Sequence, residues 1–425
     1  MTQTPTPANG FAELGIPSQL LQALQRMKIT TPTPIQHQSI PIGMEGKDIL
    51  GIAQTGTGKT LAFGVPVLHR LDRFPGRALI LLPTRELALQ VQETLAPLGR
   101  AFGLHTACLI GGVSIHAQIR DLARKPRILI ATPGRLIDLL ENRRVHLDDV
   151  GILVLDEADR MFDMGFAPQL NRIFKLVPKQ RQTLLFSATM SPEVLKLATA
   201  VMAMPVRIEV APAGTTAKDI EQEIFIIPRE TKLSLLERLL QDISGTMLVF
   251  LRTKHGARKV AHTLKLMGHK AAEIHSNRSQ AQRRDALSGF KSGKYRVLVA
   301  TDIAARGIDV DGIEAVVNFD LPTNSEDYVH RIGRTGRAGR KGRAISFATP
   351  DQKGEIRSIE RLIRKQLTVS QMPGLATQAA PRPESGPAQS PRQDKEKNRP
   401  YKLGPKRPFR RRRRHRGSGR GGRVG

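Results

Sequence analysis

The chain has 425 residues, 40% of them apolar, and a formal net charge of +29. That length predicts two or three domains. No apolar run approaches the ~20 residues of a membrane span, and a single cysteine excludes an internal disulfide. So strong a basic excess points to a polyanionic partner, nucleic acid above all. The N-terminal Met1-Thr2-Gln3-Thr4-Pro5 lacks the charged-then-apolar pattern of a signal, so a cytoplasmic protein with no membrane partner is expected. Cys108 lies in the apolar stretch Thr106 to Ile110 and reads as a small core hydrophobe.

The first strong signal is Ala53-Gln54-Thr55-Gly56-Thr57-Gly58-Lys59-Thr60. Gly56 and Gly58 let backbone N–H groups turn toward an anion, Lys59 reaches phosphate oxygens and the Thr60 hydroxyl can ligate Mg²⁺. The apolar run Asp48 to Ile52 precedes it and a helix from Leu61 to Leu71 follows, which is the strand–loop–helix setting the motif requires. The strict pattern wants Gly where Ala53 stands. Further on, the run Gly151 to Leu155 leads into Asp156-Glu157-Ala158-Asp159. Those carboxylates supply what the loop lacks: one to hold a metal and one to orient water.

From about Asp48 to Val210, short β-branched runs alternate with helical patterns. They include Ala78–Leu82, Arg127–Ala131, Val150–Leu155, Thr183–Phe186 and Val206–Val210, the signature of βαβ units and a parallel sheet. Residues 211–218 carry no periodicity and read as a linker. The alternation restarts with Glu223–Ile227, Thr246–Leu251, Arg296–Ala300, Ala315–Asn318 and Ala344–Phe347. The fold class is therefore α/β, with domains at 1–210 and 219–370. After that the composition shifts to Pro, Gln, Ser, Gly and Arg, and residues 371–425 are expected to be a disordered basic tail with 16 Lys/Arg against 3 acids. The second domain has no phosphate loop. It offers Thr301 to Asp309 and His330-Arg331-Ile332-Gly333-Arg334-Thr335-Gly336-Arg337, where two arginines three apart, flanked by glycines, suit phosphate.

The order of short motifs is specific. Thr33-Pro34-Ile35-Gln36, the lysine loop, Pro83-Thr84-Arg85-Glu86-Leu87-Ala88, Gly111-Gly112, Thr132-Pro133-Gly134-Arg135, Asp156 to Asp159, Ser187-Ala188-Thr189, Ala305 to Asp309 and His330 to Arg337 closely resemble the DEAD-box ATP-dependent RNA helicases. The match runs from about residue 11 to 350. Arg160 to Phe166 and His275 to Gln280 look most like the bacterial RhlE-type subgroup.

That resemblance implies two tandem RecA-like parallel-sheet domains using ATP and Mg²⁺. Gln36 would read adenine, with Phe11 as the upstream aromatic, and Ala53, Gln54, Thr55, Gly56, Thr57, Gly58, Lys59 and Thr60 would hold the phosphates. Asp156 and Thr60 would serve hydrated Mg²⁺ and Glu157 would be the general base. Asp309 would contact the ribose, and Arg334 with Arg337 the γ-phosphate. Asp159, Ser187, Thr189 and His330 would relay nucleotide state to RNA grip. RNA contacts would come from Pro83, Thr84, Arg85, Gly111, Gly112, Thr132 and Arg135, then from Arg252, Gln280, Arg283 and Thr301. The position where the family commonly stacks an aromatic on adenine is Ile29 here.

With no Trp, 3 Tyr and 14 Phe, and almost no aromatics in the motifs, a sequence-indifferent grip on single strands and short duplexes fits better than base stacking. Ribosomal particles and RNA-degradation machinery are the partners such proteins leave open. The competing readings are a DNA helicase and a non-catalytic RNA annealer acting through its basic tail.

Overall fold

The computed structural model describes residues 10–54, 56–210, 220–305, 310, 312–336 and 341–371, without the side chains of 303 and 305. The linker at 211–218, the tail beyond its first residue, Thr55, Asp309 and Arg337 lie outside the described residues. No described helix is long and apolar enough to cross a membrane. Residues up to 376 form one unit, and it contains two sheets.

The strands of the first sheet are β1 (Ile49–Ile52), β2 (Arg77–Leu81), β3 (Thr106–Leu109), β4 (Ile128–Ala131), β5 (Val150–Asp156), β6 (Gln182–Ser187) and β7 (Val206–Glu209). Those of the second are β8 (Ile220–Ile226), β9 (Met247–Leu251), β10 (Ala271–Ile274), β11 (Val297–Thr301), β12 (Ala315–Asn318), β13 (Gly342–Ala348) and β14 (Thr368–Val369). Their spatial orders are β3-β4-β2-β5-β6-β1-β7 and β10-β11-β9-β12-β13-β8-β14. Adding seven to each label of the first order gives the second, so the two halves repeat one topology. Neighbouring strands pair in parallel, for example Ile49 with Leu184 and Val299 with Val249.

Helices cover both faces of each sheet, so the central strands are apolar throughout rather than alternating. Ile80, Ile130, Val154 and Leu184 point into one core, while their neighbours Leu79, Leu129, Leu153 and Leu185 point into another. The second sheet divides likewise, Val249, Val299 and Val317 on one side and Leu248, Leu298 and Val316 on the other. Three strands went unread in the sequence. β3 and β10 are edge strands of four residues, and β14 has two. Cys108 lies on β3 against the first core, and burial pushes its thiol up to about 12, which keeps it protonated and inert.

In a parallel sheet the loops at the carboxyl ends of the strands share one edge, where ligands bind. The sheet orders place the ends of β5, β6 and β1 side by side, and those of β3, β4 and β2 beside them.

Candidate functional site

The lysine loop follows β1. Gly56 and Gly58 have φ of 85° and 87°, the left-handed region that glycine adopts without steric cost. Helix Lys59–Arg73 begins at once, with Gly58 as its N-cap. Lys59 is buried; its Nζ donates to Ala53 O at 3.1 Å and stands 3.8 Å from Asp156 Oδ1 at the end of β5. Thr57 Oγ1 donates to Gln54 O at 2.7 Å, which ties the loop to itself.

Gln36 does two jobs visible in the geometry. Its Oε1 accepts from Thr33 N at 2.9 Å, closing a capping box on helix Pro34–Met44. Its Nε2 donates to Gly58 O at 3.0 Å, so the adenine candidate touches the phosphate loop directly. A Cβ on Gly58 would land on that amide nitrogen. Phe11 is 4% exposed and packs into the first core, and Ile29 packs against the same core.

Asp156 is buried, and burial above all pushes its acid up to about 6, with Lys59 pulling the other way and Glu157 adding to the rise. Such a carboxylate calls for a cation. Thr60 lies on the first turn of the helix after the loop. Among the described residues no cluster of three or more His, Cys, Asp or Glu could cage a metal. One carboxylate and one hydroxyl fit Mg²⁺ that keeps its water and binds phosphate.

Glu157 adopts φ 54°, ψ 50° at the N-terminus of helix Ala158–Asp163, an uncommon conformation for a side chain with a Cβ. Its Oε2 accepts from Arg160 Nη1 at 2.7 Å, and both residues are buried. Asp159 reaches the end of β6. Its Oδ2 accepts from Ala188 N, Thr189 N and Thr189 Oγ1 at 3.2, 3.0 and 3.1 Å, while its own N–H donates to Ser187 Oγ at 3.3 Å. Thr189 and His330 line one cavity of about 290 Å³ together with Gln54 and Glu326. Thus the four relay candidates and the phosphate loop are contiguous. Arg334 is buried, with its Nε donating to His330 O at 3.2 Å.

The candidates at the ends of β2, β3 and β4 form a second group. Thr84 caps helix Arg85–Arg100, accepting from Leu87 N at 3.3 Å. Arg85 lies over Gly111 and Gly112; a Cβ on Gly112 would clash with its Nη1. Arg135 donates from Nη1 and Nη2 to Val113 O at 3.3 and 3.4 Å. Thr132 Oγ1 donates to Leu109 O at 3.5 Å, and Pro83 immediately precedes Thr84. Burial and then Arg283 hold the Arg85 guanidinium below its usual range, a sign of cations crowded together.

Arg283 comes from the second half. It sits 2.9 Å from Glu86, and both are buried. Gln280 opens the same helix and Thr301 ends β11, both buried. Arg252 is engaged within its own half, donating to Leu321 O at 3.2 Å and lining a cavity of about 790 Å³ with Lys232, Phe319 and Asp320.

Sequence reasoning assigned no role to Glu86, Arg160, Lys232 or Arg331. Lys232 begins the helix after β8 as Lys59 begins the helix after β1, and its Nζ is 3.4 Å from Asp320, beyond the end of β12. The lysine–aspartate pair is thus repeated, but the loop before it, residues 227–231, holds Pro228 and no glycine. It cannot cradle phosphate. Arg331 is buried, bidentate to Asp302 at 2.5 and 2.7 Å, and holds Asn318 Oδ1 at 3.1 Å. It anchors the helix Ser325–Ile332, which carries His330 and leads into Arg334.

Comparison with known proteins agrees with this geometry. Residues 33–197 match the DEAD/DEAH box helicase family and residues 231–339 the helicase conserved C-terminal domain. The chain is 42% identical over 370 residues to the ATP-dependent rRNA helicase RRP3 of Debaryomyces hansenii, covering 86% of this chain and 78% of that protein. It is 45% identical over 362 residues to the Saccharomyces cerevisiae protein of the same name, covering 84% and 72%. The structure of S. cerevisiae Dbp5 bound to RNA and ADP BeF3 aligns with a TM-score of 0.77 at 30% identity, covering 85% of this chain and 96% of that one. The chain belongs to the DEAD-box family of ATP-dependent RNA helicases. Its two parallel-sheet domains are the RecA-like pair of that family.

Proposed function

We propose that ATP bound at the β1 and β5 ends is hydrolysed when the two domains close on one RNA strand, and that closure strains and separates short duplexes. The observation that supports this most directly is the run of contacts from the end of β5 to a cavity shared with the second domain. Asp156 ends β5 and Glu157 follows it, Asp159 bonds Thr189 just past the end of β6, and Thr189 lines a cavity together with His330 of the second domain. On this reading Lys59 and Gln54 to Thr60 hold the phosphates, Gln36 selects adenine, and Glu157 takes the proton of the attacking water. Arg334 and Arg337 stabilise the charge that develops on the γ-phosphate, and Asp309 contacts the ribose. Mg²⁺ held near Asp156 and Thr60 would neutralise phosphate charge.

RNA is read as backbone. Arg85, Arg135, Arg283, the amides of Gly111 and Gly112, and Thr84, Thr132 and Thr301 offer charge and short hydrogen-bonding groups rather than base edges. Residues 371–425 act as a tethered polycation that raises local RNA concentration. Domain limits of 1–210 and 219–370 and a cytoplasmic location complete the reading. The finer placement in the RhlE-type subgroup rests on Arg160–Phe166 and His275–Gln280. The curated relatives described above are yeast rRNA helicases, which favours ribosomal RNA over degradation machinery as the physiological substrate.

The test is phosphate release with RNA and with single-stranded DNA of the same sequence. RNA alone should stimulate it. Equal stimulation by both would support the DNA-helicase reading, and none by either the annealer.

A further inference from the structure

The two sheets repeat one strand order, so each position on the carboxyl edge of the first has a counterpart on the second. Along the first edge the RNA-contact candidates follow β3, β4 and β2, and the phosphate loop and Asp156 stand at the ends of β1 and β5. Along the second, Gln280 and Arg283 follow β10, Thr301 ends β11 and Arg252 follows β9. The next strands in that row are β12, β13 and β8. Their ends and that of β9 surround the cavity of about 790 Å³ that Arg252 lines: Phe319 and Asp320 follow β12, Thr349 follows β13 and Arg229 follows β8. The cavity therefore stands where the first sheet carries its phosphate loop, and its size is that of a small-ligand site. Its lining carries both signs of charge. Lys232 is the buried cation, its Nζ donating to Phe319 O at 2.8 Å. Arg229, Arg252 and Lys259 are exposed around it, and Asp320, Asp351 and Glu355 supply acceptors. A bare polyanion would meet those carboxylates as well as the cations. A nucleotide suits both, because its phosphate takes the cations while base amino groups and ribose hydroxyls donate to the carboxylates.

We propose that this cavity takes one unpaired nucleotide of the bound RNA strand, the next beyond the segment gripped at the ends of β10, β11 and β9. The side chains of Arg229, Arg252 and Lys259 hold its phosphate, since residues 227–231 offer no glycine nest. The acidic side chains receive the donors of its ribose and base. The grip of the second domain is thereby one nucleotide longer than the row of loops alone would make it. This inference rests on the reading of RNA as the substrate.

The test uses the full chain with an ATP analogue and single-stranded RNAs that carry one photoreactive thiouridine at successive positions. Wild type is compared with the double variant Arg229→Glu, Lys259→Glu, whose substituted side chains are exposed and leave the core untouched. In wild type one position should crosslink to the cavity walls at residues 229–233 or 349–355. Removing that nucleotide should weaken binding about 10-fold, the worth of one charge-assisted contact, and flatten the salt dependence by roughly 0.7 in log–log slope. In the double variant the crosslink and the 10-fold step should both vanish. Its affinity for the shortened RNA should match wild type at ~0.15 M salt, where charges beyond about 8 Å are screened. Crosslinks confined to the loops after β2, β3, β4, β10 and β11 would overturn the proposal, as would an equal loss of affinity for long and short RNAs. A wild type that binds no RNA of any length would remove the RNA reading itself, whatever the cavity takes.

Discussion

Glu86 and Arg283 meet at 2.9 Å, both buried, although 197 positions separate them in the chain. Glu86 follows Arg85 in the loop-and-helix after β2; Arg283 lies on the helix after β10. Their ion pair joins the helix after β2 in the first domain to the helix after β10 in the second. Breaking a buried pair strands the remaining charge, at roughly 3–5 kcal/mol.

Glu86→Ala and Arg283→Ala should therefore each weaken RNA binding in the presence of an ATP analogue. The double variant should be much less than additive, with a coupling of about 1–3 kcal/mol. Fluorescence anisotropy with labelled RNA measures it. Additivity within about 0.5 kcal/mol would mean that the two side chains act independently.

Gly112 has φ 74°, and a Cβ there would clash with Arg85 Nη1. Gly112→Ala is expected to combine backbone strain of roughly 1–2 kcal/mol with displacement of Arg85. RNA affinity should fall about 10-fold, since a charged contact of that size is lost, while ATP affinity holds. Gly151→Ala, where a Cβ meets open space, is the control. An RNA affinity unchanged by Gly112→Ala would remove Arg85 from the grip.

Asp156 offers a pH test. Its acid form is favoured in the fold, with a pKa near 6 against the ordinary 3.8. That stabilisation is complete below about pH 4 and is lost as pH rises through about 6. Above pH 6 the metal-free protein carries a desolvated charge. Asp156→Asn should then raise the melting temperature in EDTA at pH 8, corresponding to about 1–3 kcal/mol, with the gain shrinking toward pH 5. ATP turnover should be lost. A variant that melts lower than wild type at pH 8 would show that the Lys59 contact outweighs burial.

Much of this was legible before any coordinates. The alternation of apolar runs gave two α/β halves. The strand ends bearing Asp156, Ser187 and Thr132 followed from short motifs beside apolar runs. Contacts made by the fold alone were not legible. Glu86 with Arg283, and Lys232 with Asp320, are set by sheet order rather than local pattern. Arg160 stood in a recognised run, and its spacing of three from Glu157 was a usable signal on a helix. Its burial was invisible, because sequence reports charge and not what surrounds it. Arg331 was hidden by its neighbours for the same reason: among several arginines in one short stretch, only packing shows which one is an anchor.

The central claim is that Glu157 is the base of an RNA-gated ATPase, and Glu157→Gln tests it most directly. Binding of an ATP analogue and of RNA should be retained, RNA-stimulated phosphate release should fall by at least about 10²-fold, and the ternary complex should accumulate on RNA beads. Turnover that persists, or binding and turnover lost together, would contradict the account.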